Sequence, residues 1–130
     1  MSRTIKVDLF TDVVCPWCLI GSKRLDDAIA KLPAEVTVDV ENLPFYLDPN
    51  TPPEGYDVAE MLRSKYGRDP KTIWAHAEEQ ARLSGIDLDL SKQPRTVSLP
   101  EVGISTISAV FSSVSPRSRN LPSGLYWKLR

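Results

Sequence analysis

Ile5, Val7 and Leu9 alternate with Lys6 and Asp8, and the run then thickens through Phe10, Val13 and Val14. Alternation with period two predicts a strand, and the thickening predicts burial on both faces by Val14. The period then changes. Leu25, Ile29 and Leu32 follow Cys18 at offsets of 7, 11 and 14, which lines one face of a helix over Pro16 to Leu32, closed by Pro33. Lys23 and Asp27, four apart, belong to its solvent face. Val36, Val38 and Val40 alternate with Thr37, Asp39 and Glu41 as a second strand. The apolar phase then moves to Leu43, Phe45 and Leu47, which predicts a bulge or a strand end before Pro44. Strand, helix and strand joined by short links imply parallel strands and a right-handed crossover.

Asp48 to Gly55 holds three prolines and a glycine and reads as a loop. Asp57 with Glu60 three residues on is a capping pattern for a helix through Tyr66, ended by Gly67, with Val58, Met61 and Leu62 as its apolar face. Asp69 and Pro70 open a further helix, Lys71 to Ser84, ended by Gly85. Trp74, Ala77 and Ala81 form its buried stripe. His76, the sole histidine, borders that stripe and reads as an ordinary boundary residue.

With 130 residues, 42% of them apolar and 25% charged, the chain has the size and composition of one ordinary soluble domain. A formal net charge of −1 gives no bulk attraction to nucleic acid or to a membrane. The charge is uneven. Residues 1–97 carry 12 basic against 16 acidic side chains, and residues 98–130 carry 4 against 1, together with 8 of the 13 serines. No run approaches the roughly 20 apolar residues of a membrane span. Asp8 and Asp12 interrupt the N-terminal apolar stretch, so no signal peptide is expected and the expected location is the cytoplasm. There, two cysteines serve catalysis or sensing rather than stapling.

Both cysteines lie in Asp12-Val13-Val14-Cys15-Pro16-Trp17-Cys18, where the first strand ends and the first helix begins. Pro16 suits the first helical position, where its missing N–H costs nothing. Cys15 then falls at the N-cap and Cys18 one turn inside. Free N–H groups and the positive end of the helix dipole favour a thiolate at Cys15. Thiols in such settings titrate at about 3.5 to 7.5, against about 8.5 when free. A value of about 6 makes Cys15 about 90 per cent thiolate at pH 7, the form that thiol–disulfide exchange requires. Cys18 shares a helix face with Cys15 and is placed to attack a mixed disulfide formed there. Its position on the apolar stripe predicts that Cys18 is the buried sulfur and Cys15 the exposed one.

Other uses of the pair are weaker. A disulfide closing so small a ring removes only about 2 kcal/mol of unfolded-chain entropy, against nearly 5 for a 100-residue loop. A zinc site needs four ligands, and the chain offers two Cys and one His, so no metal is expected. Asp12 is explained by turn chemistry as readily as by proton transfer. Trp17, between the sulfurs, fits either a redox-tuning role or a docking surface.

The Asp12–Cys18 block, followed by Ile20-Gly21, resembles the active-site segment of the DsbA-like thioredoxin-fold oxidoreductases, most of all their FrnE-type branch. The likeness continues through Pro44-Phe45-Tyr46-Leu47-Asp48-Pro49, Pro52-Pro53-Glu54-Gly55 and Tyr66-Gly67 to about Ser91. It implies an α/β, thioredoxin-like fold in which a β-α-β unit runs into the first helices of a helical insertion. It also implies a redox-active Cys15–Cys18 disulfide, with Cys15 as nucleophile, Cys18 as resolving partner, and Pro16, Trp17 and Asp12 tuning the site or meeting substrate. Asn42-Leu43 stands before Pro44 where the family usually has an aromatic and a basic residue.

Residues 1–91 thus form the thioredoxin-like part, and residues 92–130 a divergent, Ser-rich tail expected to be poorly ordered. The family's Val-Pro loop, last strands and last helix find no match there. Pro100, Pro116 and Pro122 lack the flanking pattern, and only Ile104 to Phe111 has weak strand character. The C-terminal half of the fold is expected to be missing, which leaves the first strand an open apolar edge for pairing with another copy or for aggregation. The function implied is thiol–disulfide exchange on a protein or small thiol substrate, with no cofactor and with glutathione as a possible co-substrate. Two alternatives stay open. One is a glutathione-dependent isomerase or transferase of the same superfamily, whose members usually carry Ser at the place of Cys15. The other is a non-catalytic fragment acting through strand pairing.

Overall fold

The structure, a computed structural model, describes residues 2–12 and 14–96. The elements in chain order are β1 (Arg3–Thr11), α1 (Pro16–Ile29), β2 (Val36–Pro44), α2 (Val58–Tyr66) and α3 (Pro70–Leu83), with a single 3-10 turn at Leu90–Lys92. The described residues fall into two compact units, which divide after Leu47. This is the mixed α/β architecture of a partial thioredoxin-like fold.

The first unit holds β1, α1 and β2. The two strands pair in parallel over their full length, from Arg3 with Val36 to Thr11 with Pro44. Val7, Leu9, Val38 and Val40 share one sheet face, which is the shielded one. Thr4, Lys6, Asp8 and Phe10 lie on the other, exposed face. The expected burial of β1 on both faces is therefore corrected: Phe10 is 59% exposed. The reason is that the strand ends at Thr11, so Val14 leaves it for a turn and Phe10 alone does not make a second apolar face. Val13 lies outside the described residues.

Of the two expectations for β2, no bulge interrupts it, and the strand end falls at Pro44 rather than before it. The register runs unbroken to Pro44, and the change of apolar phase moves Leu43 to the face that carries Phe10. Pro44 has no N–H to give, and the next donor, Phe45, bonds to the Thr11 carbonyl at 2.9 Å. Helix α1 ends at Ile29, not Leu32. Beyond it the N–H groups of Lys31 and Leu32 reach back three residues, to Ala28 and Ile29, tightening the chain ahead of Pro33. Leu19, Ile20 and Ser22 are its buried positions, while Leu32 is 40% exposed.

The second unit follows the local signals closely. Asp57 caps α2 by accepting the Glu60 N–H at 2.8 Å, and Gly67 ends it in the left-handed conformation. Asp69 caps α3 by accepting the Lys71 N–H at 3.0 Å, and Pro70 occupies the first turn. Ala77 and Ala81 are buried with Val58, Ile86, Leu88 and Leu90. Residues 93–96 lie along residues 54–58. Thr96 donates its N–H to the Tyr56 carbonyl and accepts the Tyr56 N–H on its hydroxyl, and Val58 N–H bonds to the Pro94 carbonyl. The Arg95 guanidinium closes on the Glu54 and Gly55 carbonyls. Among the described residues no helix is long and apolar enough to cross a membrane. The expected strand at Ile104 to Phe111 and the rest of the tail beyond Thr96 lie outside the described residues.

Gly55 sits at φ 69, and a Cβ there would stand 1.9 Å from the Thr96 carbonyl oxygen. Gly55→Ala is expected to destabilise the chain by more than about 2 kcal/mol, through backbone strain plus steric overlap. Gly67→Ala, also at positive φ but in open space, is expected to cost about 1 kcal/mol. Urea unfolding of the two variants checks the order.

Candidate active site

The site is built where β1 hands over to α1. Cys15 is the N-cap of α1 with extended backbone, and Pro16 is the first residue of the helix. Because Pro16 lacks an N–H, the first donors free at this helix end are those of Trp17 and Cys18. Both act on the Cys15 sulfur and favour its thiolate. No acidic residue sits in the first turn to oppose them. The Cys18 N–H also donates to the Cys15 carbonyl at 3.1 Å, closing the turn that brings the two side chains together.

Both cysteines are free thiols. Their exposure does not separate them. Each is half-buried, which corrects the expectation of an exposed Cys15 and a buried Cys18. The stripe that places Cys18 with Leu25, Ile29 and Leu32 is only partly shielded: Leu25 and Ile29 are half-buried, and Leu32 lies beyond the end of α1. What distinguishes the sulfurs is the hydrogen bond between them. The Cys18 thiol donates to Cys15, and this is the chief reason that Cys15 is lowered from 9.0 to about 6. Burial and the Asp12 carboxylate push Cys15 the other way, and the two N–H groups push it down. The same bond, with burial, pushes the Cys18 thiol well up. One sulfur is therefore an anion near neutral pH and the other keeps its proton.

Asp12 is 2% exposed and tied to the backbone. Its Oδ1 accepts the Val14 N–H at 3.0 Å and its Oδ2 accepts the Leu47 N–H at 2.8 Å. Its carbonyl accepts the Cys15 N–H at 3.3 Å. Trp17 is 43% exposed beside the sulfurs. Asn42 and Leu43, before Pro44, are half-buried at the end of β2. The segment Phe45, Tyr46 and Leu47 follows, all three exposed and fastened to Thr11 and Asp12 by the Phe45 and Leu47 N–H groups. Sequence reasoning gives Cys15, Pro16, Trp17, Cys18 and Asp12 but not Leu47, whose contribution is a backbone N–H 35 positions away and leaves no side-chain signal. His76 is exposed on α3, in the second unit. Among the described residues no cluster of His, Cys, Asp or Glu suits a metal ion.

A nucleophilic thiolate backed by a protonated thiol one helical turn away can attack a disulfide and then resolve the product. Comparison with known proteins places the fold. The family model for the DSBA-like thioredoxin domain matches residues 6–113, past residue 92, where the sequence places the end of the resemblance. A solved structure titled as a probable DsbA oxidoreductase from Streptomyces coelicolor is similar, with a TM-score of 0.66 and 24% sequence identity. The match covers 84% of this chain and 51% of that one, so the present chain spans about half the length of that structure. No curated protein matches the chain by sequence.

For the reduced protein the sign of the pH dependence follows from the two sulfurs. Cys15 is depressed on folding, so its contribution is fully present above its unfolded value and is lost as pH falls through about 6. Cys18 is raised, so it costs stability once the unfolded chain begins to ionise that thiol, above about 9. Stability of the reduced chain is expected to rise between pH 6 and 9 and to fall beyond. The rate of Cys15 alkylation by iodoacetamide is expected to rise with a midpoint near 6, and Cys18→Ala is expected to move that midpoint upward. Mass spectrometry of the alkylated sites across pH checks both.

Proposed function

The chain belongs to the DSBA-like thioredoxin domain family, and from that premise we propose that Cys15 and Cys18 form a redox-active dithiol for thiol–disulfide exchange. The observation that carries this reading is the arrangement of the two sulfurs at one helix start, the inner thiol donating its proton toward the outer sulfur.

The Cys15 thiolate attacks one sulfur of a substrate disulfide. A Cys15–substrate bond forms, the substrate S–S bond breaks, and the other substrate sulfur leaves as a thiolate that takes a proton from water. Cys18 then loses its proton and attacks the Cys15 sulfur. The Cys15–Cys18 bond forms, the mixed disulfide breaks, and the second substrate sulfur leaves. The substrate gains two electrons and two protons, and the protein dithiol becomes a disulfide. Run backward, the same steps oxidise a substrate dithiol. The substrate is a protein or a small thiol, and glutathione is a fitting co-substrate because the first step engages one protein sulfur only. The chemistry uses no metal or nucleotide.

Pro16 and Trp17 bear on the first step. Pro16 keeps the backbone between the sulfurs from offering a third donor, which leaves the Trp17 and Cys18 N–H groups to set the thiolate. The exposed indole of Trp17 gives an incoming peptide an apolar contact beside the reacting sulfur.

The test is exchange with oxidised glutathione, followed as release of reduced glutathione. Wild type is expected to release two equivalents. Cys18→Ala is expected to release one and to accumulate a stable adduct on Cys15, seen by intact mass. Cys15→Ser is expected to slow the reaction at least a hundredfold. Equal rates for wild type and Cys15→Ser would remove this reading.

A further inference from the structure

We propose that Asp12 is the positioning residue of the dithiol: it fastens the lead-in to Cys15 onto the segment that follows β2, and so holds the two sulfurs in line for the resolving step. This rests on the exchange reading above and adds a residue to it.

Every polar group of Asp12 is engaged, and all of them bear on the site. The carbonyl accepts the Cys15 N–H. The N–H acts on the Cys18 sulfur and favours its thiolate, the form that must attack in the second step. Oδ1 holds Val14 and Oδ2 holds Leu47. An ordinary Asx turn accounts for the Val14 bond, between residues two apart. It does not account for the second oxygen, which reaches a residue 35 positions on. A carboxylate offers two acceptor oxygens, whereas an Asn offers one and two donors. Each N–H meets a different oxygen, so Asn in the same position would set its NH2 against one of the two donors.

The charge itself works against ionisation, since the Asp12 carboxylate raises the Cys15 thiol. A residue placed to assist ionisation would do the opposite. Both oxygens are also held by backbone donors. The geometry thus favours holding over proton transfer. The clip links the approach to Cys15 with Phe45 and Leu47, so a shift of the 45–47 segment reaches the sulfurs directly.

The experiment separates attack from resolution. The reduced protein is mixed with oxidised glutathione, and the first and second glutathione releases are timed by rapid quench, alongside iodoacetamide titration of Cys15. In Asp12→Asn the resolving step is expected to slow about tenfold or more relative to attack, while Cys15 titrates at a lower pH because the opposing charge is gone. Leu47→Pro removes the N–H to Oδ2 but keeps the carboxylate. It is expected to slow resolution without lowering the Cys15 titration, and it carries the test alone where Asp12→Asn does not fold. Resolution at the wild-type rate relative to attack in the folded variant overturns the proposal. If wild type itself releases no glutathione, the exchange reading fails instead. Asp12 is then judged on titration, and an Asp12→Asn variant that titrates like wild type overturns its link to the sulfurs.

Discussion

The hydrogen bond from Cys18 to Cys15 is what makes two similar thiols unequal. Both are half-buried, and burial alone would raise both. The helix end breaks the symmetry. Cys15 sits at the cap, where N–H groups without helical partners face outward, and Cys18 sits inside, where its own N–H is already directed at Cys15. The proton therefore stays on the inner sulfur and the charge on the outer one. A spacing of three places the pair on one face of one turn. A spacing of two would send the second thiol to the far side of the helix, and the bond would not form.

That helix start is held in place by the sheet. The ladder between β1 and β2 ends at Thr11 and Pro44, and Pro44 cannot donate. The next donor in line is Phe45, and after a further step Leu47 reaches the Asp12 carboxylate. The two chains are therefore still fastened after the strands stop, just where the backbone must leave sheet geometry for a helix. One consequence is that Phe45, Tyr46 and Leu47 are held with their side chains exposed, although their composition would ordinarily favour burial. Their backbone is committed to the site, and their side chains follow.

Much of this was legible because it is local. Asp57, Glu60 and Gly67 mark the ends of α2 by hydrogen bonds and a φ angle that involve only neighbouring residues. The same holds for Asp69 and Pro70 in α3, and for the Cys-Pro-Trp-Cys turn. The misreadings share the opposite character. Phe10, Val13 and Val14 look like one strand with two apolar faces, yet the strand ends at Thr11 where Asp12 turns the chain, and the other oxygen of that carboxylate is held by an N–H far away in sequence. The phase change in β2 looks like a bulge because alternation alone does not say that a strand may switch its apolar side without breaking register. Residues 93–96 carry no pattern of their own. Their bonds to Tyr56, Val58 and Gly55 become visible only with the fold.

The balance of forces at Cys15 also bears on the direction of electron flow. Stabilising a thiolate stabilises the reduced dithiol, which makes the corresponding disulfide a better oxidant. Three hydrogen bonds on Cys15 act in that sense, while burial and the Asp12 charge act against it. The hydrogen bonds win, since the thiol ends well below its ordinary value. The raised Cys18 thiol does not cancel this, because a sulfur that is neutral at working pH contributes little to the charge of the reduced state. On the exchange proposed above, the lowered Cys15 favours the reduced dithiol relative to two free thiols, and the Asp12 charge opposes that. A carboxylate that opposes ionisation of the outer sulfur yet fastens its backbone is, on the proposal above, kept for alignment rather than for its charge.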